Sequence, residues 1–503
     1  MNKSIPQELF PLLSELIATK TGLHFPAERW RDLERGLRGA AAGFGFNDIG
    51  AFSQWLLNSN LNKEQLGELA SYITVGETYF FRDPQYYDIL ESEILTAIVA
   101  SRQKGSQRLR LWSAACATGE EAYSLAIVLN RVVPDIENWN ITVLATDINP
   151  VFLEKAKNGI YARWSFRNTP EYVKTLYFKK LPDGRFEILP HIKRLVSFHQ
   201  LNLVEDIYPS LYNNTNAIDV IFCRNVLMYL APYQIERIVK QLYNSLVDGG
   251  WLIVSPAEAS HVLFADFANI RFPDAILYRR EGAQPGHRAN PSFEPEALQP
   301  PNSHFPATPI EIPSLPIDTV APPVAKSETL PAATEKSSPA TSVFETASAV
   351  YDQGNYGAAA EMLEQLIARQ PDDARSLALL ARVYANQGRL TDAREQGRRA
   401  INADKLNPGC YYLSSRIAEE LNLIEEASQA LRKALYLDPD FIVAHFALGN
   451  LSRRQGRQSE ADRHFKVALR LLENYSPDTL LPESDGLTAG RLSIIIRTAM
   501  EKE

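Results

Sequence analysis

The stretch Leu109–Tyr123, L-R-L-W-S-A-A-C-A-T-G-E-E-A-Y, confines this chain to a narrow set of folds. A short apolar strand runs through a tight loop of small residues into a helix, the junction at which parallel α/β sheets hold ligands. The loop has Gly119 but no G-x-G-x-x-G series, so it lacks the repeated glycines that bring a backbone close to a pyrophosphate. Glu120 and Glu121 stand instead at the helix start, where they repel phosphate and can receive a cationic ligand. A nucleotide-like cofactor carrying ammonium and sulfonium charges, S-adenosylmethionine, fits this chemistry better than NAD or ATP.

A chain of 503 residues is too long for one core and reads as about three domains. With 45% apolar and 22% charged residues it has a globular composition, and a formal charge of -8 gives no global attraction to nucleic acid. Cys116, Cys223 and Cys410 are scattered without a C-x-x-C pair, so neither a disulfide framework nor a metal site is expected. That usage implies a reducing compartment. The first residues carry no apolar leader and no apolar run reaches spanning length, so a cytoplasmic protein without membrane insertion is expected.

Proline marks the main boundary: thirteen of the 31 prolines fall between Pro285 and Pro339, which predicts a disordered, extended linker over residues 281–340. Beyond it Gly354, Gly388, Asn422 and Gly456 lie 34 residues apart, each followed five positions later by Ala359, Ala393, Ala427 or Ala461. The period predicts four tetratricopeptide repeats over residues 341–475, an α-solenoid of helix hairpins, with a capping helix over 486–502 covering the last apolar face. Lys405 and Glu473 stand where the pattern has Pro371 and Pro439, and Ser415 where it has Gly449. The first 85 residues read as an all-helical domain, in which Arg31, Arg35 and Arg38 share one side of a helix and Trp30, Leu33 and Leu37 the other. On pattern alone that arginine side is a solvated face as readily as a docking surface.

Residues 86–280 alternate strands and helices. Ile141–Thr146 is a strand ending in Asp147, an acid placed to accept ribose hydroxyls or to cap the helix that follows. The strand Ala217–Cys223 leads into the polar pair Arg224 and Asn225 at its carboxyl end. Between Gly159 and Asn202 lies a small β insertion, about residues 160–200, with a hairpin turning at Asp183-Gly184. Thr74–Pro84, T-V-G-E-T-Y-F-F-R-D-P, joins the helical domain to the sheet and offers a hydroxyl at Thr78 and a cation at Arg82.

The segments T-V-G-E-T-Y-F-F-R-D, L-W-S-A-A-C-A-T-G-E-E-A-Y-S, A-T-D-I-N and F-C-R-N-V-L-M-Y, in that order, resemble the CheR-type chemoreceptor methyltransferases over about residues 8–280. The resemblance implies an α/β Rossmann-like methyltransferase sheet and transfer of methyl from S-adenosylmethionine to glutamates of a chemoreceptor's helical cytoplasmic domain, giving methyl esters. By motif match it implies cofactor contacts from Thr78 and Arg82, the methionine ammonium on Glu121 and the ribose on Asp147. Asn202 and Leu203 correspond to the adenine-side loop, Arg224 and Asn225 to the floor, and Tyr229 to a position near the transferred methyl. Gly76, in the cofactor loop, replaces the family's usual Asn, which puts that side-chain contact in question.

A glutamate carboxylate, with a pKa of about 4.3, is ionised at neutral pH and needs no general base to attack a sulfonium methyl. Arg82 is then expected to position the cofactor's carboxylate or the substrate's other oxygen rather than grip the attacking one. An acidic receptor bundle would be drawn to Arg31, Arg35 and Arg38. The short Leu181–Gly184 turn argues against capture of a receptor's C-terminal peptide as an added strand. An unidentified protein partner is expected for the repeats. The alternative is an inactive methyltransferase-fold scaffold acting through its repeats, against which the intact Thr78, Arg82, Glu121, Asp147 and Asn225 stand.

Overall fold

The computed structural model describes residues 4–211, 213–281, 339–477, 479–484 and 487–500. The linker expected over 281–340 lies almost wholly outside the described residues. Strands β1 (Arg108–Ala114), β2 (Asn140–Asp147), β6 (Val196–Gln200), β7 (Ile218–Phe222), β8 (Leu246–Ile253), β9 (Ala268–Phe272) and β10 (Ala275–Arg279) build one sheet in the order β6-β2-β1-β7-β8-β10-β9. β6, β2, β1, β7 and β8 run parallel, while β10 pairs antiparallel to both β8 and β9. β1 and β7 are buried along their whole lengths, as continuous apolar runs covered by helices on both faces must be. Chain order reverses on either side of β1, which opens a crevice at the carboxyl ends of β1, β2 and β7.

Three short strands, β3 (Ile160–Tyr161), β4 (Phe178–Lys180) and β5 (Phe186–Ile188), form a separate antiparallel sheet, and Gly184 at φ +82° makes the hairpin turn at the expected place. Four helices, Phe10–Thr21, Trp30–Gly43, Ile49–Asn58 and Lys63–Ile73, form the N-terminal unit around their own apolar cluster. This unit is sewn to the crevice. Ala231 N–H donates to the Gly22 carbonyl and His24 N–H to the Tyr229 carbonyl, both at 2.8 Å. Gly22 takes φ +80° beneath Val204 and Leu230, where a Cβ would come within 2.5 Å of the valine.

The repeats follow their period. Eight helices, from Pro339–Asp352 to Gln458–Leu472, pair as hairpins, and each hairpin turn is left-handed: φ is +76° at Gly354 and Gly388, +58° at Asn422 and +73° at Gly456. Ala359, Ala393, Ala427 and Ala461 are fully buried, because only a small side chain lets the second helix lie close against the first. The final helix, Ala489–Met500, packs on the last hairpin, with Leu492 and Ile496 buried against Phe465 and Leu472. No described helix is long and apolar enough to cross a membrane.

Candidate functional site

The crevice is a cleft lined by the loop after β1, the ends of β2 and β7, the Thr74–Arg82 segment, and residues of the N-terminal unit. The loop owes its shape to left-handed backbone at Ala115, Ala117 and Gly119, with φ of +60°, +46° and +91°. A Cβ on Gly119 would stand 2.7 Å from that of Ala156, so helix and loop approach there as only glycine allows. Tyr161 reaches back from β3 to hydrogen-bond the Thr118 carbonyl at 2.9 Å, fixing the loop from the far side.

Glu121, in the first turn of the helix Glu120–Val132, accepts a 2.7 Å hydrogen bond from Ser113 of β1 and faces Arg224 at 3.5 Å. Burial pushes its pKa up while the Arg224 guanidinium pulls it down, and the upward push wins. Arg224, its side chain 1% exposed, also pairs with Asp83 and lies 5.1 Å from the Tyr86 ring centre. It therefore acts as the buried counter-ion of two carboxylates beneath the cleft. Asp147 accepts backbone N–H groups from Ala117 and Asn149, both at 2.9 Å, yet burial outweighs these bonds and pushes its pKa up to about 6. A carboxylate in that condition gains from further donors such as paired hydroxyls.

Asn225 lines the cleft in a left-handed conformation, φ +57°, held because Glu258 accepts its N–H at 2.7 Å and that of Val226 at 2.6 Å. Asn202 and Leu203 line the same cleft. The Asn202 amide donates to the Lys20 carbonyl at 2.7 Å and its oxygen accepts from Val204 N–H at 3.0 Å, so this side chain also ties the N-terminal unit to the loop. Thr78, Arg82 and Tyr229 face the same cleft, Arg82 steadied by a 3.1 Å bond to the Glu77 carbonyl. Gly76 explains its own departure from the family pattern: a Cβ there would lie 2.5–3.0 Å from the ring of Phe152, which lines the cleft. Phe152 occupies the space a longer side chain would need, and Gly76, expected among the cofactor contacts, is not itself one of the residues lining the cleft.

Arg31, Arg35 and Arg38 are not brought to the cleft. They lie on the outer side of the helix Trp30–Gly43, where Arg35 pairs with Asp32 at 2.6 Å and Arg38 with Glu34 at 2.7 Å. The N-terminal unit's arginine at the cleft is Arg29, two residues before Arg31, whose guanidinium lies 5.6 Å from the Tyr229 ring centre and 5.1 Å from that of Phe25. Asp83 and Glu258 also escaped the sequence reading. Glu258 had a local signal, since S-P-A-E at 255–258 spells the capping box that Ser255 and Glu258 form.

The family described as "CheR methyltransferase, SAM binding domain" matches residues 76–273, and tetratricopeptide repeat families match 344–408 and 408–441. Chemotaxis protein methyltransferase 2 of Vibrio cholerae is 34% identical over 215 residues, 43% of this chain and 73% of that protein. Chemotaxis protein methyltransferase 1 of Pseudomonas aeruginosa is 31% identical over 262 residues, 46% of this chain and 91% of that protein. The chemotaxis protein methyltransferase of Borreliella burgdorferi is 28% identical over 260 residues, 51% of this chain and 90% of that protein.

Proposed function

The chain belongs to the CheR family of S-adenosylmethionine-dependent methyltransferases, and from that premise we propose that it esterifies glutamate side chains on the helical cytoplasmic domain of a chemoreceptor. The observation that carries this reading is one cleft that combines a buried, counter-ion-balanced Glu121, a donor-hungry Asp147, the cation Arg82 and the phenol Tyr229. Glu121 is the acceptor for an ammonium, Asp147 for a ribose diol, and Asn202 with Leu203 forms the wall for a base. When bound, the cofactor supplies a cationic sulfur bearing an electrophilic methyl, which a carboxylate can take without a general base.

The protein's own residues then align, shield and neutralise. The Thr74–Arg82 segment and the N-terminal unit, through Phe25, Arg29 and Leu230, wall the cleft from water. Arg82 holds a carboxylate, that of the cofactor or the non-attacking oxygen of the substrate, and Arg29 adds a second cation at the same mouth. Tyr229 stands at the reacting end with its ring held beneath Arg29. The repeats engage a protein partner.

The test is incubation with cofactor carrying a radiolabelled methyl and with membranes containing candidate receptors. Base-labile label on a receptor is the expected result, and Arg82→Ala should abolish it while leaving the unfolding midpoint within a degree or two. Absence of label from every receptor, or near-normal turnover in Arg82→Ala, would overturn the substrate assignment or the role of Arg82 respectively.

A further inference from the structure

A second cavity, of about 80 Å3, lies at the opposite end of the sheet, where the hairpin-turn edge of the repeats meets the amino-terminal ends of the strands. Its lining is entirely polar or charged. Arg108 and Arg110 enter from β1 and both pair with Glu420, at 3.2 and 2.6 Å. Arg416 and Arg454 enter from the repeats and both pair with Glu419, at 2.9 and 3.0 Å. Arg454 occupies the position equivalent to Glu420 in the next repeat, 34 residues on, so the solenoid's period delivers successive charges to one rim.

Four guanidiniums against two carboxylates leave this cluster two positive charges in excess, with Arg454 at its solvent-exposed rim. The adjoining Asp219, which also accepts the Arg110 backbone N–H, is matched by Arg102 at 2.6 Å and so leaves this count unchanged. The side chains of Arg108 and Arg110 are only 7% and 4% exposed, and the buried Nε–H of each has no acceptor among the described residues. Burial and the neighbouring Arg108 both work against the charge on Arg110, and Glu420 with Asp219 only partly offsets them. An excess of guanidinium charge around an all-polar cavity forms a receptor for a tetrahedral oxyanion, which guanidinium groups bind in a two-pronged fashion. The cavity has roughly the room of two to three waters, enough for such an ion. The side chain of Arg454, 59% exposed, marks its mouth, leaving space for a substituent on the anion.

We propose that this cavity is a binding site for a phosphate-type oxyanion, either the free ion or a phosphomonoester, that completes the junction between the repeats and the methyltransferase sheet. Such a ligand neutralises the excess charge and draws the two repeat arginines toward the two on β1. The same strand carries Ser113, the partner of Glu121, at its other end. The site is thus separate from the cofactor cleft, sharing no lining residue with it, and is joined to it through β1.

The test is calorimetric titration of the full-length protein with inorganic phosphate at constant ionic strength, with chloride as the control and glycerol phosphate in a parallel arm. One saturable site is expected, weakened about tenfold or more by Arg110→Gln and by Arg454→Gln at the exposed rim, and tightened by Glu419→Gln, which removes a competing carboxylate. Tighter binding of glycerol phosphate assigns the site to a phosphomonoester, and equal or weaker binding assigns it to the free ion. Unchanged binding of S-adenosylhomocysteine in each variant establishes that the fold is intact. No saturable heat with phosphate, or parental affinity in both arginine variants, overturns the proposal.

Discussion

Acidification should loosen cofactor binding through one side chain. Asp147 can accept two ribose hydroxyls only as a carboxylate, and burial sets its pKa at about 6 in the free protein. The competent fraction is then about nine-tenths at pH 7 and one-eleventh at pH 5, so affinity should fall roughly tenfold across that interval, about 1.4 kcal/mol. S-adenosylhomocysteine is the suitable probe, since its own amino and carboxyl groups largely keep their charges over this range, and calorimetry at half-unit intervals is the assay. Glu121, whose pKa is also raised, steepens the slope toward the acid end. Asp147→Asn separates the two: binding should be weak at every pH, with only the Glu121 share of the slope remaining. The same shift has an opposite signature in the free protein. Because the folded pKa lies above the ordinary carboxylate value of 3.8, this group's stabilising contribution is complete below that value and is lost as pH rises through about 6, ~3 kcal/mol in all. Affinity constant within a factor of two between pH 7 and 5, or a wild-type slope surviving in Asp147→Asn, would refute the reasoning.

Two other substitutions probe the same cleft. Arg224→Gln should lower unfolding stability by ~3–5 kcal/mol in urea titration, because it strands Glu121 and Asp83 without their buried counter-ion; a loss under 1 kcal/mol would mean that the pair is solvated. Gly76→Ala drives a Cβ into the Phe152 ring and should cost ~1–3 kcal/mol together with affinity for S-adenosylhomocysteine. Phe152→Val should restore both in the double variant, and an additive double mutant would show that the two positions do not compete for space.

Much of the architecture was legible because it rests on short-range sterics. Left-handed backbone at Gly354, Gly388 and Gly456, and the buried alanines five positions on, follow from what a residue without a side chain, or with one methyl, permits at a hairpin. The loop after β1, with Gly119 against Ala156 and two acids at the helix start, is equally local, and so is the capping box at Ser255. Among the candidate site residues, those at strand ends reached the cleft as a group, since carboxyl ends of parallel strands converge wherever chain order reverses. The period of the helix Trp30–Gly43 puts Arg31, Arg35 and Arg38 on a common side away from the cleft, whereas Arg29, just before the helix, lies over the Tyr229 ring.

By itself the sequence determined a parallel nucleotide-type sheet, a helical unit before it and a 34-residue solenoid after it, because each is written in periodicity, small residues and turn chemistry within a few positions. Only the tertiary structure decided that Glu420 of the repeats answers Arg110 of β1 across 310 residues, and that Arg224 is shared between Asp83 and Glu121. Such pairings depend on how much water each charge loses when distant elements close over it. That quantity belongs to the assembled fold and to no segment of the chain.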